Sequence, residues 1–226
     1  MPMMTSEEFW NLIHGYDLAI FPMQYIFSLV AIVLVVLMAK KPGAKLNVWM
    51  NLFLAVCYSW IGIIFYLVHN RDLSEKMHYF QPALMFLIAF FFILDIFLKK
   101  SDFKFSQNRS HNFIALFFMA YSIIGYPIVG WLLGHPYSVK FSGDLAIWVP
   151  ILGVYPCPTT IFSLALLSLA LPRADKKVMI PLLYWGIFSI MGPPLRVYGV
   201  YEDLVLFFAG IYGLVFFIKN FRKKSE

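Results

Sequence analysis

The apolar positions of this 226-residue chain fall into seven long runs, at approximately 18–39, 46–68, 79–98, 112–133, 146–171, 178–197 and 204–218, separated by short polar connections. A hydrocarbon core of about 30 Å asks for roughly 20 apolar residues per α-helical crossing. The pattern therefore predicts an all-α integral membrane protein, a single domain over 1–226 arranged as a seven-transmembrane-helix bundle. Ahead of the first run, Thr5-Ser6-Glu7-Glu8 fits a capping box, and Phe9, Trp10, Leu12 and Ile13 supply one apolar face. Residues 1–17 are expected to form a short interfacial amphipathic helix.

The runs are interrupted at matching places. In the fifth, Gly153-Val154-Tyr155-Pro156-Cys157-Pro158-Thr159-Thr160 is chemistry that breaks helices, because each X-Pro bond pushes the preceding residue toward extended geometry. The spacing predicts a broken fifth segment at Pro156-Pro158, with Cys157 as the cap of a new helix and Pro158 in its first turn. From there to Leu171 is roughly 14 residues, about 21 Å, too short to cross alone. The fourth run meets Gly125-Tyr126-Pro127 and the sixth Gly192-Pro193-Pro194 at a similar distance from their basic ends. Trp60 and Gly62 reach the same height in the second. Irregular backbone at that depth is tolerated where it is buried in protein or lines a wet cavity, so a vestibule in one third of the bundle is expected. The plainer alternative is a set of proline kinks in packed helices.

Composition agrees with the membrane class: 61% hydrophobic residues, 19% aromatic and a mean hydropathy of +0.76. The net charge of +6 does not signify nucleic acid, because the basic residues cluster at the ends of apolar runs. Lys40, Lys41, Lys45, Lys99, Lys100, Lys104, Arg109, Arg173, Lys176, Lys177, Lys219, Arg222, Lys223 and Lys224 follow the odd-numbered runs. Only Arg71, Lys76, Lys140 and Arg196 follow the even ones. The positive-inside preference then places the N-terminus outside and the C-terminus in the cytoplasm. Asn108-Arg109-Ser110 matches a glycosylation acceptor, but its predicted cytoplasmic location makes the match fortuitous.

Candidate site residues gather at the other end. Asp17, Trp60, Tyr66, His69, Tyr126, His135, Cys157, Thr159, Thr160 and Glu202 all fall near the breaks or the outer helix ends. A thiol at a helix N-terminus is a candidate nucleophile or soft-metal ligand; the alternative for Cys157 is a small residue in a tight turn. Asp203 is placed to cap the seventh helix. His135, between Gly134 and Pro136, sits in a loop of restricted backbone, and His78 and Gln81 open the third run. Asp95, four residues before Lys99, is expected to form a snorkelling pair with it. Two cysteines and five scattered histidines give neither a disulfide framework nor a zinc spacing, so no metal site is expected and no cofactor is indicated.

Several of these runs resemble a known family. Tyr126-Pro127 with Gly130, Gly134-His135-Pro136-Tyr137 and Pro156-Cys157-Pro158-Thr159-Thr160-Ile161-Phe162 are similar to the DUF6064 family of bacterial multi-pass membrane proteins. So are Ile180-Pro181 with Trp185, Gly199-Val200 with Glu202-Asp203, Ala209-Gly210, Tyr16 with Pro22 and Gln24, and Trp60 with Gly62 and Tyr66. The resemblance implies the bacterial cytoplasmic membrane and supplies no activity. The functional expectation is an outward-facing polar vestibule that binds or transports a small molecule or ion, with the lipid bilayer as partner and no nucleic acid. The alternatives are an intramembrane enzyme using Cys157 or a bound metal, and an accessory membrane subunit.

Overall fold

The computed structural model describes residues 4–70, 79–135, 137–140 and 146–222. Arg71, Lys76 and His78 lie outside them. Among the described residues ten α-helices run in the order α1 (Ser6–Ala19), α2 (Met23–Lys40), α3 (Ala44–Trp60), α4 (Phe80–Leu98), α5 (Arg109–Ala120), α6 (Tyr126–Leu132), α7 (Pro156–Ala170), α8 (Lys176–Phe188), α9 (Pro193–Val197) and α10 (Leu204–Arg222). A short antiparallel ribbon joins β1 (Ser138–Lys140) to β2 (Ala146–Trp148), pairing Val139 with Ile147. The fifth apolar run therefore opens as ribbon and coil, and becomes helical only at Pro156.

Five helical stretches among the described residues are long and apolar enough to cross a membrane: Met23–Lys40, Ala44–His69, Phe80–Leu98, Arg109–Leu132 and Tyr201–Asn220. α7 and α8 are shorter, at 15 and 13 residues. Their shortness has a structural counterpart, because α7 is the axis of the bundle. It packs against α3, α5, α8 and α10, and Cys157 is its only residue that is not fully buried. A helix apolar on every side belongs in an interior. Its few polar groups are satisfied locally: Thr159 Oγ1 donates to the Tyr155 carbonyl (2.6 Å), Ser163 Oγ to that of Thr159 (2.8 Å), and the Tyr58 hydroxyl bonds Thr160 and Ser163. α8 and α10 cross closely at Gly186 and Gly210, where a Cβ on Gly210 would stand 3.0 Å from the Gly186 carbonyl carbon. Close approach through small residues is how membrane helices maximise packing.

The basic connections share one end. Asn47 donates to Asp102, Lys104 and Arg173 approach the same carboxylate, and Lys100 pairs with Asp175. Lys104, as the main cause, holds the Asp102 carboxyl below the usual carboxylate range. Asp95 does not form the expected pair with Lys99. Its buried carboxylate accepts from Asn51 Nδ2 (3.0 Å) and from the backbone N–H groups of Lys100 and Ser101, tying the left-handed turn at Lys99 to α3. Asn108, the nominal glycosylation acceptor, caps α5 by accepting from the N–H groups of Ser110 and His111.

At the opposite end, α-helical geometry gives way in four places. α3 passes into a π-helix at Ile61–His69, α5 into a π-helical turn at Tyr121–Gly125, α8 into a 3₁₀ turn followed by extended Gly192, and α7 begins abruptly. The fourth run is therefore not broken at Gly125-Tyr126-Pro127: the chain stays helical through to Leu132. Proline has no N–H and its ring crowds the carbonyl one turn back, and a π turn relieves both demands by widening the helix. The cap of α7 is also displaced from the expected position: Tyr155 is the extended N-cap and Pro156 the first helical residue.

Candidate ligand-binding cavity

Three of the four departures border one cavity of about 420 Å³, a size within the usual range for small-molecule sites, and the fourth, the π turn of α5, leads into it through Tyr126. Phe65 and Tyr66 reach it from the π-helix, Tyr126 from the start of α6, Pro156, Cys157 and Pro158 from the head of α7, and Ser189 and Gly192 from the end of α8. The capping box at Thr5 and Glu8 forms as expected. α1 then lays its apolar face, with Phe9, Trp10 and Ile13, over the same space.

The wall is a nearly continuous chain of aromatic rings. Tyr198 stacks on Phe9 (centroids 4.2 Å), Phe9 meets Trp10 edge-on (5.2 Å), and Trp10 meets Tyr137 (5.9 Å). Tyr137 meets Tyr155 (6.2 Å), which meets Phe65 (5.2 Å), then Tyr66 (4.9 Å) and Trp185 (6.5 Å). All eight rings line the cavity. All six contacts after the first are edge-to-face, the arrangement that the aromatic quadrupole favours.

Behind the rings lies a buried layer of carboxylates. Asp203 reaches the cavity itself, accepting from the Tyr126 hydroxyl (2.6 Å) and the Cys157 thiol (3.4 Å). It does not serve as the side-chain cap of α10. Glu202 Oε1 takes the Tyr137 hydroxyl (3.1 Å) and lies 2.6 Å from His135 Nδ1, while Oε2 is buried without a partner among the described residues. The His135 ring stacks on Trp10 at 4.0 Å. Asp17 Oδ1 accepts from Tyr155 (2.9 Å) and, among the described residues, Oδ2 has no partner at hydrogen-bond distance; burial, opposed by the Tyr155 hydroxyl and the Gln24 amide, pushes the Asp17 carboxyl up to about 7. Cys157 is thus a donor to a carboxylate, a different setting from the electropositive surroundings that activate a thiol.

Of the ten residues singled out from the sequence, Cys157, Tyr66 and Tyr126 line the cavity. Asp17, His135 and Glu202 stand one side chain behind it. Trp60 and His69 hold Tyr16: Trp60 Nε1 donates to its hydroxyl (3.1 Å), and the His69 ring meets it edge-on. Thr159 and Thr160 turn into the bundle, away from the open space, and the Thr159 N–H already reaches the Tyr155 carbonyl. The wall residues Trp10, Tyr137, Tyr155, Trp185 and Tyr198 are not among the sequence candidates, and their one sequence signal is the density of aromatic residues near the helix ends remote from the basic connections.

Apolar helices in the described residues, packed around a buried central helix and a cavity with a polar floor, define a helical multi-pass membrane protein. Within that class, the model of DUF6064, a family of unknown function, matches residues 6–226, and the chain belongs to this family. Comparison with curated proteins and with solved structures gives no match.

Proposed function

We propose that the protein is a seven-span protein of the bacterial cytoplasmic membrane, N-terminus outside and C-terminus inside, whose outer cavity binds a small solute as a permease or sensor does. The observation that carries this reading is the convergence of four departures from α-helical geometry on one aromatic-walled space with a carboxylate floor. Ordinary kinks leave helices packed; here the altered helix ends border open volume, the setting in which irregular backbone is tolerated at membrane depth.

Native mass spectrometry of protein released from its own membrane tests the reading. A bound small molecule is expected on the wild type and is lost from Ser189→Trp, which places an indole in the cavity. A wild type that carries no adduct, or an adduct retained by Ser189→Trp, contradicts it and favours an accessory subunit whose outer face serves another protein.

A further inference from the structure

The electrostatics of the cavity are lopsided. Asp17, Glu202 and Asp203 are all buried within or directly behind its wall, and among the described residues the one basic group paired with any of them is His135. The two oxygens of Asp203 are met by a phenol and a thiol, neither of which carries positive charge. In front of these acid groups stands the chain of eight rings, and aromatic rings attract cations. Trp185 lines the cavity, and its buried indole N–H faces the Cys157 sulfur and, among the described residues, has no oxygen or nitrogen acceptor. Phe80, Tyr184, Phe188 and Met191 also border the space and are themselves well exposed, so the rim is apolar rather than charged.

We propose that the cavity takes a small organic cation of the trimethylammonium type, its charge held by Asp203 within the aromatic wall and an oxygen of the same molecule accepting from Trp185. This rests on the reading of the cavity as a binding site and narrows its occupant. An inorganic cation fits poorly, because it needs several oxygen ligands at short range, whereas most of the wall is carbon. An organic anion would meet three buried acid groups. The same headgroup chemistry is carried by a free solute and by a phosphocholine lipid, and both would satisfy the wall.

Isothermal titration of the full-length protein in detergent decides the matter with three probes: choline, its uncharged isostere 3,3-dimethyl-1-butanol, and dihexanoylphosphatidylcholine. Choline is expected to bind about tenfold or more tightly than the isostere, as desolvated cation–π and ionic contacts imply. In Asp203→Asn the preference falls to about twofold, while Tyr66→Leu weakens the cation more than the isostere. If the phospholipid binds more tightly than choline, the source is a lipid headgroup; the reverse assigns a free solute, and either supports the cation. Equal or tighter binding of the isostere overturns the cation while leaving the binding reading intact. No binding of any probe overturns the cation as well, and the native adduct then reports separately on the cavity. The comparison in the wild type stands even if Asp203→Asn fails to fold.

Discussion

Gly130 offers a sharp test of how tightly the wall is built. It lies in the last turn of α6, and a Cβ there would stand 2.2 and 2.5 Å from two carbons of the Tyr137 ring and 2.9 Å from Glu202 Oε1. Carbon atoms in contact prefer about 3.5–4.0 Å, so the ring must retreat by about 1 Å or more. It has nowhere simple to go, because Tyr137 is buried between Trp10, Tyr126 and Tyr155 and its hydroxyl is tied to Glu202. Overpacking of this kind costs about 1–3 kcal/mol, and a lost hydrogen bond to a charged acceptor about 1.5–3 kcal/mol. Against this, alanine in a helix is favoured over glycine by up to about 1 kcal/mol. Gly130→Ala is therefore expected to destabilise by about 2–4 kcal/mol. Gly15, exposed on α1 with open space around its Cβ position, provides the control: Gly15→Ala gains up to about 1 kcal/mol. Reversible unfolding in mixed micelles, titrated with sodium dodecyl sulfate, measures both. A Gly130→Ala protein as stable as Gly15→Ala would refute the packing of Tyr137 and Glu202 against α6.

Three further predictions follow from buried groups and from charge. The Asp17 carboxyl is held near 7 in the folded protein against an ordinary value of 3.8. Its contribution is thus fully present below about pH 4 and is lost as pH rises through 7, so Asp17→Asn should gain on the wild type by up to a few kcal/mol at pH 8 relative to pH 4; an unchanged difference between the two proteins would contradict the burial argument. Asp95→Ala strands the Asn51 amide and two backbone donors, and should cost about 3 kcal/mol or more; if Asp95→Asn and Asp95→Ala are equally mild, the carboxylate does not anchor the turn at Lys99. For orientation, Arg196→Cys should react with an impermeant thiol reagent in intact cells and Lys41→Cys should not, both positions being exposed, and the opposite result would invert the topology.

The sequence carried the apolar periodicity, the capping box and the level at which the helices lose regularity, because helix length and proline chemistry are local properties. It carried less of how each irregularity is resolved. Pro127 stays within α6, and its demands are met by a π turn just upstream at Tyr121–Gly125; proline chemistry alone does not choose between a break and such a turn. The roles of Thr159 and Thr160 depended on which way α7 rotates, and an apolar helix with weak amphipathicity gives no signal of its rotation. Asp95 and Asp203 illustrate the same limit: both suggested short-range roles, yet their partners, Asn51 at one end and Tyr126 with Cys157 at the other, are far away in the chain. The aromatic wall draws its rings from many separate elements, so it becomes visible only once they are assembled.

Binding of a solute from outside requires the cavity to be open there, and the two native cysteines report on that directly. Cys157 is half-buried at the cavity and Cys57 is fully buried in α3. In intact cells, a thiosulfonate bearing a trimethylammonium group should modify Cys157 and leave Cys57 untouched, and should react faster than a sulfonate-bearing reagent of the same size. Labelling should disappear in Cys157→Ser. If Cys157 and a cysteine introduced by Ser189→Cys both prove as inert as Cys57 until the protein is denatured, the space is sealed and the binding function is contradicted.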